Sequence, residues 1–210
     1  MRGFPHPLRR LPQPWRGVFE WMLTLSFAIL FVLTFEAEVA QPYRIPSSSM
    51  ENGLNCATPG AGCLGSTDDR VLALRLEYDF SSPQRGQVVV FTAPPTASKC
   101  APGDGGTTFV KRIIGLPGET VHEDDRGFIW IREPGAATST ELTEPYVQPA
   151  YRRADGNHFD QTWHVPSGEY FMLGDNRGMS CDSRTWGAVP RGNLIGPVVF
   201  RYWPLDRIGF

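Results

Sequence analysis

The chain has 210 residues and a formal net charge of −2 at neutral pH, length enough for one substantial core with a small subdomain or insertion. That total conceals a split: residues 1–16 carry Arg2, Arg9, Arg10 and Arg16 and no acid, a contribution of +4, so the rest of the chain holds −6. An acidic main body argues against nucleic acid as a partner, and 22 Gly and 19 Pro among many Val, Ile, Phe and Trp point to a turn-rich, mostly β protein.

Residues 1–16, rich in Pro and Arg, read as a cationic tail. Val18 to Phe35 then contains Glu20 as its only charge. Eighteen helical residues reach about 27 Å, close to the about 30 Å of a bilayer's hydrocarbon core. A cleaved export signal would carry an apolar region of about 7–15 residues followed by a small-residue site. Here the apolar run is longer and Glu36-Ala37-Glu38 follows it, so residues 17–36 are expected to form an uncleaved, single-pass transmembrane helix in the lipid bilayer. The Arg bias before this span predicts an N-terminus in the cytoplasm and residues 37–210 outside the cytoplasmic membrane. Trp15 and Trp21 would mark the inner interface, and Phe35 or Tyr43 the outer one.

Past the anchor, Tyr43 to Met50 places Ser47, Ser48 and Ser49 in a row behind Pro46. Proline presets its own φ and biases Ile45 toward an extended backbone, so the hydroxyls are presented at a strand end or tight turn. Ser49 is the candidate nucleophile; the alternative for this stretch alone is a Ser-rich linker. Arg70 to Tyr78 alternates apolar and polar residues and is expected to be a strand, as are Gly86 to Phe91, Thr107 to Ile114, Phe128 to Ile131, Tyr170 to Leu173, Val198 to Tyr202 and a short piece at Val189. Thr92 to Gly106, rich in Pro, Gly and Ala, is expected to be a surface loop. Residues 132–165 read as an irregular insertion, and no convincing amphipathic helix follows the anchor. The expected fold is mostly β, with mixed or antiparallel sheets, tethered by one helix.

Two features of this tract can carry chemistry. Alternation sends Phe109, Lys111 and Ile113 to one face of their strand and Val110, Arg112 and Ile114 to the other, so one of the two cations must point to the less solvated side. A desolvated lysine has a lowered pKa and can act as a base, whereas an edge-strand lysine would merely discourage aggregation. Leu173 to Trp186 is dense in polar groups, among them Asp175, Arg177, Ser180, Asp182, Ser183 and Arg184. They can form either a solvated loop or a mutually satisfied network behind a site.

Ile45 to Met50, Arg85 to Phe91, Val110 to Glu119, and Leu173 to Arg177 with Ser180 to Arg184 occur in that order after an N-terminal span. In residues and order the set resembles the bacterial type I signal peptidase (leader peptidase) family from the anchor to the C-terminal region. The resemblance implies a signal-peptidase-like β catalytic core with an inserted extension, and a Ser-Lys dyad endopeptidase that removes signal peptides from exported preproteins. By position, Ser49 would be the nucleophile and Lys111 its base, with Ser47 assisting the oxyanion hole and Ser180 orienting the lysine. Asp182 and Arg184 match the supporting ion pair. Ile45, Met50, Leu54, Phe109 and Val110 would wall the apolar pockets that receive small substrate residues at positions −1 and −3. The resemblance implies no cofactor or metal, and the four Cys and four His lack zinc-type spacing.

The chain departs from the usual family pattern at Asn52 and Gly53, where Pro-Thr is common after Ser-Met-x, and at Gln87, where Asp is common. Two other readings remain open at this point: a Ser-His-Asp hydrolase using His122, His158 or His164, and a membrane-tethered binding protein that kept the fold without activity. Cys56 and Cys63 flank a short Gly- and Ala-containing loop on the expected oxidising side and are expected to pair, while Cys100 and Cys181 stay undecided. Tyr202 and Trp203 are candidates for membrane contact.

Overall fold

A computed structural model describes residues 13–99, 107–154 and 158–209. The chain divides into two units, one ending at Ala40 and the other running from Gln41 onward. In the first, Gln13–Glu38 forms helix α1. Within it, Gly17–Phe35 is long and apolar enough to cross a membrane, with a mean hydropathy of 2.0. Apolar side chains such as Trp21, Phe27 and Leu30 are exposed along it.

The second unit is built from two sheets. Strands β1 (Ala40–Arg44), β2 (Arg70–Leu74), β3 (Val88–Thr92), β4 (Thr108–Gly115), β9 (Glu169–Leu173), β10 (Val189–Pro190) and β11 (Leu194–Trp203) form a seven-stranded sheet in the order β1-β2-β11-β3-β4-β9-β10. Strands β5 (Thr120–Glu123), β6 (Ile129–Arg132), β7 (Thr140–Glu141) and β8 (Gln161–His164) form a smaller sheet in the order β7-β6-β5-β8. Pairings β11 to β2 and β3, β3 to β4, and β4 to β9 are antiparallel. The unbroken apolar run Val88 to Phe91 follows from burial on both sides of the sheet. Val89 and Phe91 enter one core with Ile113, Met172 and Trp186, while Val88 and Val90 enter another with Ile45, Met50, Leu54, Val71 and Val198. A third core packs Ile114, Phe171 and Leu173 of the larger sheet against Val121, Ile129 and Ile131 of the smaller one. Each such fully buried aliphatic or aromatic side chain stabilises the fold by about 1.5–3 kcal/mol relative to exposure.

Several expectations are corrected. The strand expected to run to Tyr78 ends at Leu74, and Glu77–Phe80 forms the short helix α2. The turn swings the Tyr78 ring into the core beside Val89 and Phe91 and leaves Phe80 exposed. In the expected loop after β3, Pro95–Lys99 coils into a 3-10 helix that buries Ala97; residues 100–106 lie outside the described residues. The insertion is also more regular than expected. It contains β7, helix α3 (Pro149–Arg153) and β8, and β8 pairs with β5 from Thr120↔His164 to Glu123↔Gln161. Its polar composition hid these strands because they are only partly covered. Helices α2, α3 and α4 (Ser183–Trp186) are each only four or five residues long.

The expected Cys56–Cys63 disulfide is formed, with the two Cα atoms 5.0 Å apart. Cys181 is likewise disulfide-bonded, whereas Cys100 lies outside the described residues. Trp203, at the end of β11, is 38% exposed, and Leu205 and Ile208 beyond it are more so.

Candidate active site

The three hydroxyls stand where β1 leaves the sheet. Ile45 donates its N–H to the Asp69 carbonyl at 3.0 Å, Ser47 is extended, and Ser48–Met50 coil into one 3-10 turn closed by the Glu51 N–H on the Ser48 carbonyl at 3.1 Å. The Ser47 and Ser49 hydroxyls lie 3.3 Å apart. The Ser49 carbonyl accepts the Asn176 N–H at 3.1 Å, tying the turn to the loop after β9. That approach requires glycine at 174: a Cβ there would fall 2.4 Å from the Ser49 carbonyl oxygen and 2.3 Å from Ser180 Oγ, distances no side chain tolerates.

Lys111 lies in the middle of β4, opposite Val89. It is 4% exposed, on the same strand face as Phe109 and Ile113, with its ammonium nitrogen 5.9 Å from the centre of the Phe109 ring. Burial pushes its pKa down to about 8, helped by the Arg184 charge and opposed by Asp182 and Asp175. Arg112, on the other face, is largely covered as well, at 13% side-chain exposure, but paired: its guanidinium grips Asp175 through two hydrogen bonds of 2.8 and 2.7 Å and stacks 3.9 Å from the Tyr146 ring. The amine is thus partly neutral at ordinary pH while its neighbour stays a cation.

Behind Lys111 sits a buried ionic cluster. Asp182 caps α4, accepts the Gly174 N–H at 3.1 Å and pairs with the Arg184 guanidinium at 2.8 Å. Burial pushes the Asp182 carboxyl up, against opposing pulls from Ser180, Lys111 and the Gly174 and Arg184 N–H groups. Ser180 Oγ completes no hydrogen bond within ordinary limits, yet it is close enough to favour ionised Asp182. Arg184 also faces Glu123 of β5 at 3.6 Å; burial lowers Arg184 to about 10 and raises Glu123 to about 7. Arg177, fully buried, pairs with Glu144 from the insertion, which also holds Arg152 at 2.9 Å. Glu123 and Glu144 escaped the sequence reading because their own segments had no strand or motif signal; only the packing of the small sheet brings them here.

Ser47, Ser49 and Lys111 line one cleft of about 590 Å³, together with Ile45, Met50, Phe109 and Val110. Leu54 does not: it is 1% exposed in the core with Met50 and Val71. Ser180, Asp182 and Arg184 lie outside the lining, in the layer behind Lys111. Met179 and Cys181 also border the cleft; the sequence pointed to Cys181 only as a cysteine of undecided pairing and not to Met179. None of His122, His158 and His164 borders it. A hydroxyl and a partly neutral buried amine lining one cleft are a combination suited to nucleophilic attack with proton transfer.

Residues 18–203 match the family described as signal peptidase, peptidase S26. A probable signal peptidase I-1 from Synechocystis is 34% identical over 201 residues, covering 95% of this chain and 89% of the relative. A signal peptidase I from Leptolyngbya laminosa is 33% identical over 97% of this chain and 88% of its own. The crystal structure of a signal peptidase I from Enterococcus faecalis is 33% identical and covers 56% of this chain and 97% of its own, with a TM-score of 0.42. Because the family match runs from inside α1 to the end of β11, the chain belongs to the signal peptidase family, peptidase S26.

Proposed function

We propose that this protein is a membrane-anchored endopeptidase that removes N-terminal signal peptides from exported preproteins through a Ser49–Lys111 dyad and an acyl-enzyme intermediate. Neutral Lys111 takes the Ser49 hydroxyl proton as Oγ attacks the scissile carbonyl, and the resulting ammonium protonates the leaving amine. The mature protein departs, leaving the signal peptide esterified to Ser49. Lys111 then deprotonates a water that hydrolyses the ester and regenerates the hydroxyl. Ser47 Oγ and the Ser49 N–H stabilise the oxyanion, each donor of this kind being worth about 3 kcal/mol. Asp182, Ser180 and Arg184 hold the lysine in place. Ile45, Met50, Phe109 and Val110 receive the small residues at −1 and −3, with the substrate extended along a strand edge. α1 anchors the enzyme in the cytoplasmic membrane with the β unit outside.

The observation that carries this reading is the burial of Lys111 in the wall of the cleft that Ser49 also lines, with its amine lowered to about 8. Cleavage of a preprotein by the full-length enzyme, Ser49→Ala and Lys111→Arg tests it. Both variants should be inactive, since guanidinium does not deprotonate in proteins. Cleavage by Lys111→Arg at close to the wild-type rate would refute the dyad.

A further inference from the structure

Glu51 directly follows the Ser48–Met50 turn, and the chemistry above makes no use of its carboxylate. Its side chain is fully buried, at 0% exposure. Oε1 accepts the N–H of Cys56 at 2.9 Å and of Leu64 at 3.1 Å, and lies 3.6 Å from Cys56 Sγ, while Oε2 is buried with no hydrogen-bond partner. Withdrawing a carboxylate from water is costly unless it is hydrogen-bonded or paired, and here only Oε1 is offset in that way, by the two N–H groups it accepts. The two donors bracket one loop: Cys56 opens it, Leu64 follows Cys63, and the Cys56–Cys63 disulfide closes it. One carboxylate oxygen therefore ties both ends of that loop back to the residue after the turn.

The loop in turn packs on the turn. Gly62, at φ +73, sits so close to Ser48 that a Cβ there would lie 2.9 Å from Ser48 Oγ and 3.1 Å from Ser48 Cβ. Ser48 is the immediate neighbour of Ser49, and its carbonyl closes the turn through the Glu51 N–H. We propose that Glu51 is a positioning residue for Ser49, clamping the disulfide-closed loop 56–63 over Ser48 so that the turn holds the nucleophile in its attacking geometry. The proposal rests on Ser49 being the nucleophile. Glu51 touches neither substrate nor reacting atoms, so its loss changes the chemical step rather than binding: displacing a reacting group by about 1 Å can cost about 10²-fold in rate.

The test is steady-state preprotein cleavage by the full-length enzyme in detergent micelles, with Ser49→Ala as reference. Glu51→Leu removes the acceptor and should lower kcat by up to about 10²-fold with KM unchanged. Glu51→Gln keeps an oxygen for the two N–H groups and should restore kcat close to wild type. Gly62→Ala, which both clashes with Ser48 and strains a positive φ, should lower kcat without touching Glu51, and it carries the test should Glu51→Leu fail to fold. Wild-type kcat in folded Glu51→Leu or Gly62→Ala, a change in KM alone, or a Gln variant as impaired as Leu would overturn the clamp while leaving an inactive Ser49→Ala intact. Cleavage by Ser49→Ala would instead overturn the dyad, and the clamp with it.

Discussion

Lys111→Met should change how stability depends on pH, by an amount the burial of the amine sets. Below about 8 the lysine is protonated in both folded and unfolded chains, and the folded state carries the whole cost of a buried ammonium. Between about 8 and 10.5 the unfolded chain binds the proton more tightly than the folded one, so stability rises with pH. Above that both states are neutral and the dependence ends. The gap corresponds to about 3 kcal/mol, of which about 2.5 kcal/mol falls between pH 7 and pH 10. Other groups titrate nearby: burial raises Tyr78 and Tyr146, which makes stability fall at alkaline pH, and lowers Arg184 to about 10, which makes it rise. The tyrosines are common to both proteins and cancel in the difference, while Arg184, whose charge is coupled to Lys111, titrates mainly above the range compared. Urea unfolding of full-length wild type and Lys111→Met in detergent, followed by Trp fluorescence from pH 7 to 10, measures it. The variant's stability relative to wild type should decline by about 2.5 kcal/mol across that range. A difference that stays constant from pH 7 to 10 would refute the buried-amine argument.

The same lowered amine predicts that kcat/KM rises with pH through about 8 and then levels off; a pH profile in which this limb vanishes on replacing His122, His158 or His164 would contradict it. Gly174→Ala forces a Cβ against Ser180 Oγ and the Ser49 carbonyl, so it should destabilise by about 1–3 kcal/mol in chemical denaturation and depress preprotein cleavage further than that loss explains. Replacing both Cys56 and Cys63 by Ser opens a loop with a sequence separation of 7 and should reduce unfolding free energy by about 2.5 kcal/mol, measured by the same urea titration. Protease added outside spheroplasts should digest the β unit; protection until the membrane is lysed would invert the proposed orientation.

What the sequence determined was whatever depends on local pattern. The length and apolarity of Val18 to Phe35 suffice for a span-length helix, because a helix satisfies its own backbone and needs only enough apolar residues. Alternation separates Phe109 and Ile113 from Val110 and Ile114, and the structure packs them into different cores accordingly. The short Cys56–Cys63 spacing was enough to expect their disulfide. Tertiary structure decided what depends on distant partners. Leu54, four residues after Met50, packs with Val71 and Val198 in the core and does not border the cleft that Met50 lines, because burial at that position is set by which distant strands arrive beside it. The polar insertion supplies β8 to the small sheet and Glu144 and Arg152 to the buried cluster, and a polar strand one face of which is wet has no sequence signature that separates it from a loop. Which of Lys111 and Arg112 is buried with a carboxylate gripping it, and which without, was likewise left open by alternation. It was decided by Asp175, from the loop after β9, and Tyr146, from the insertion, which hold Arg112 on one face, while Lys111 is buried beside Phe109 on the other with no such partner gripping it among the described residues.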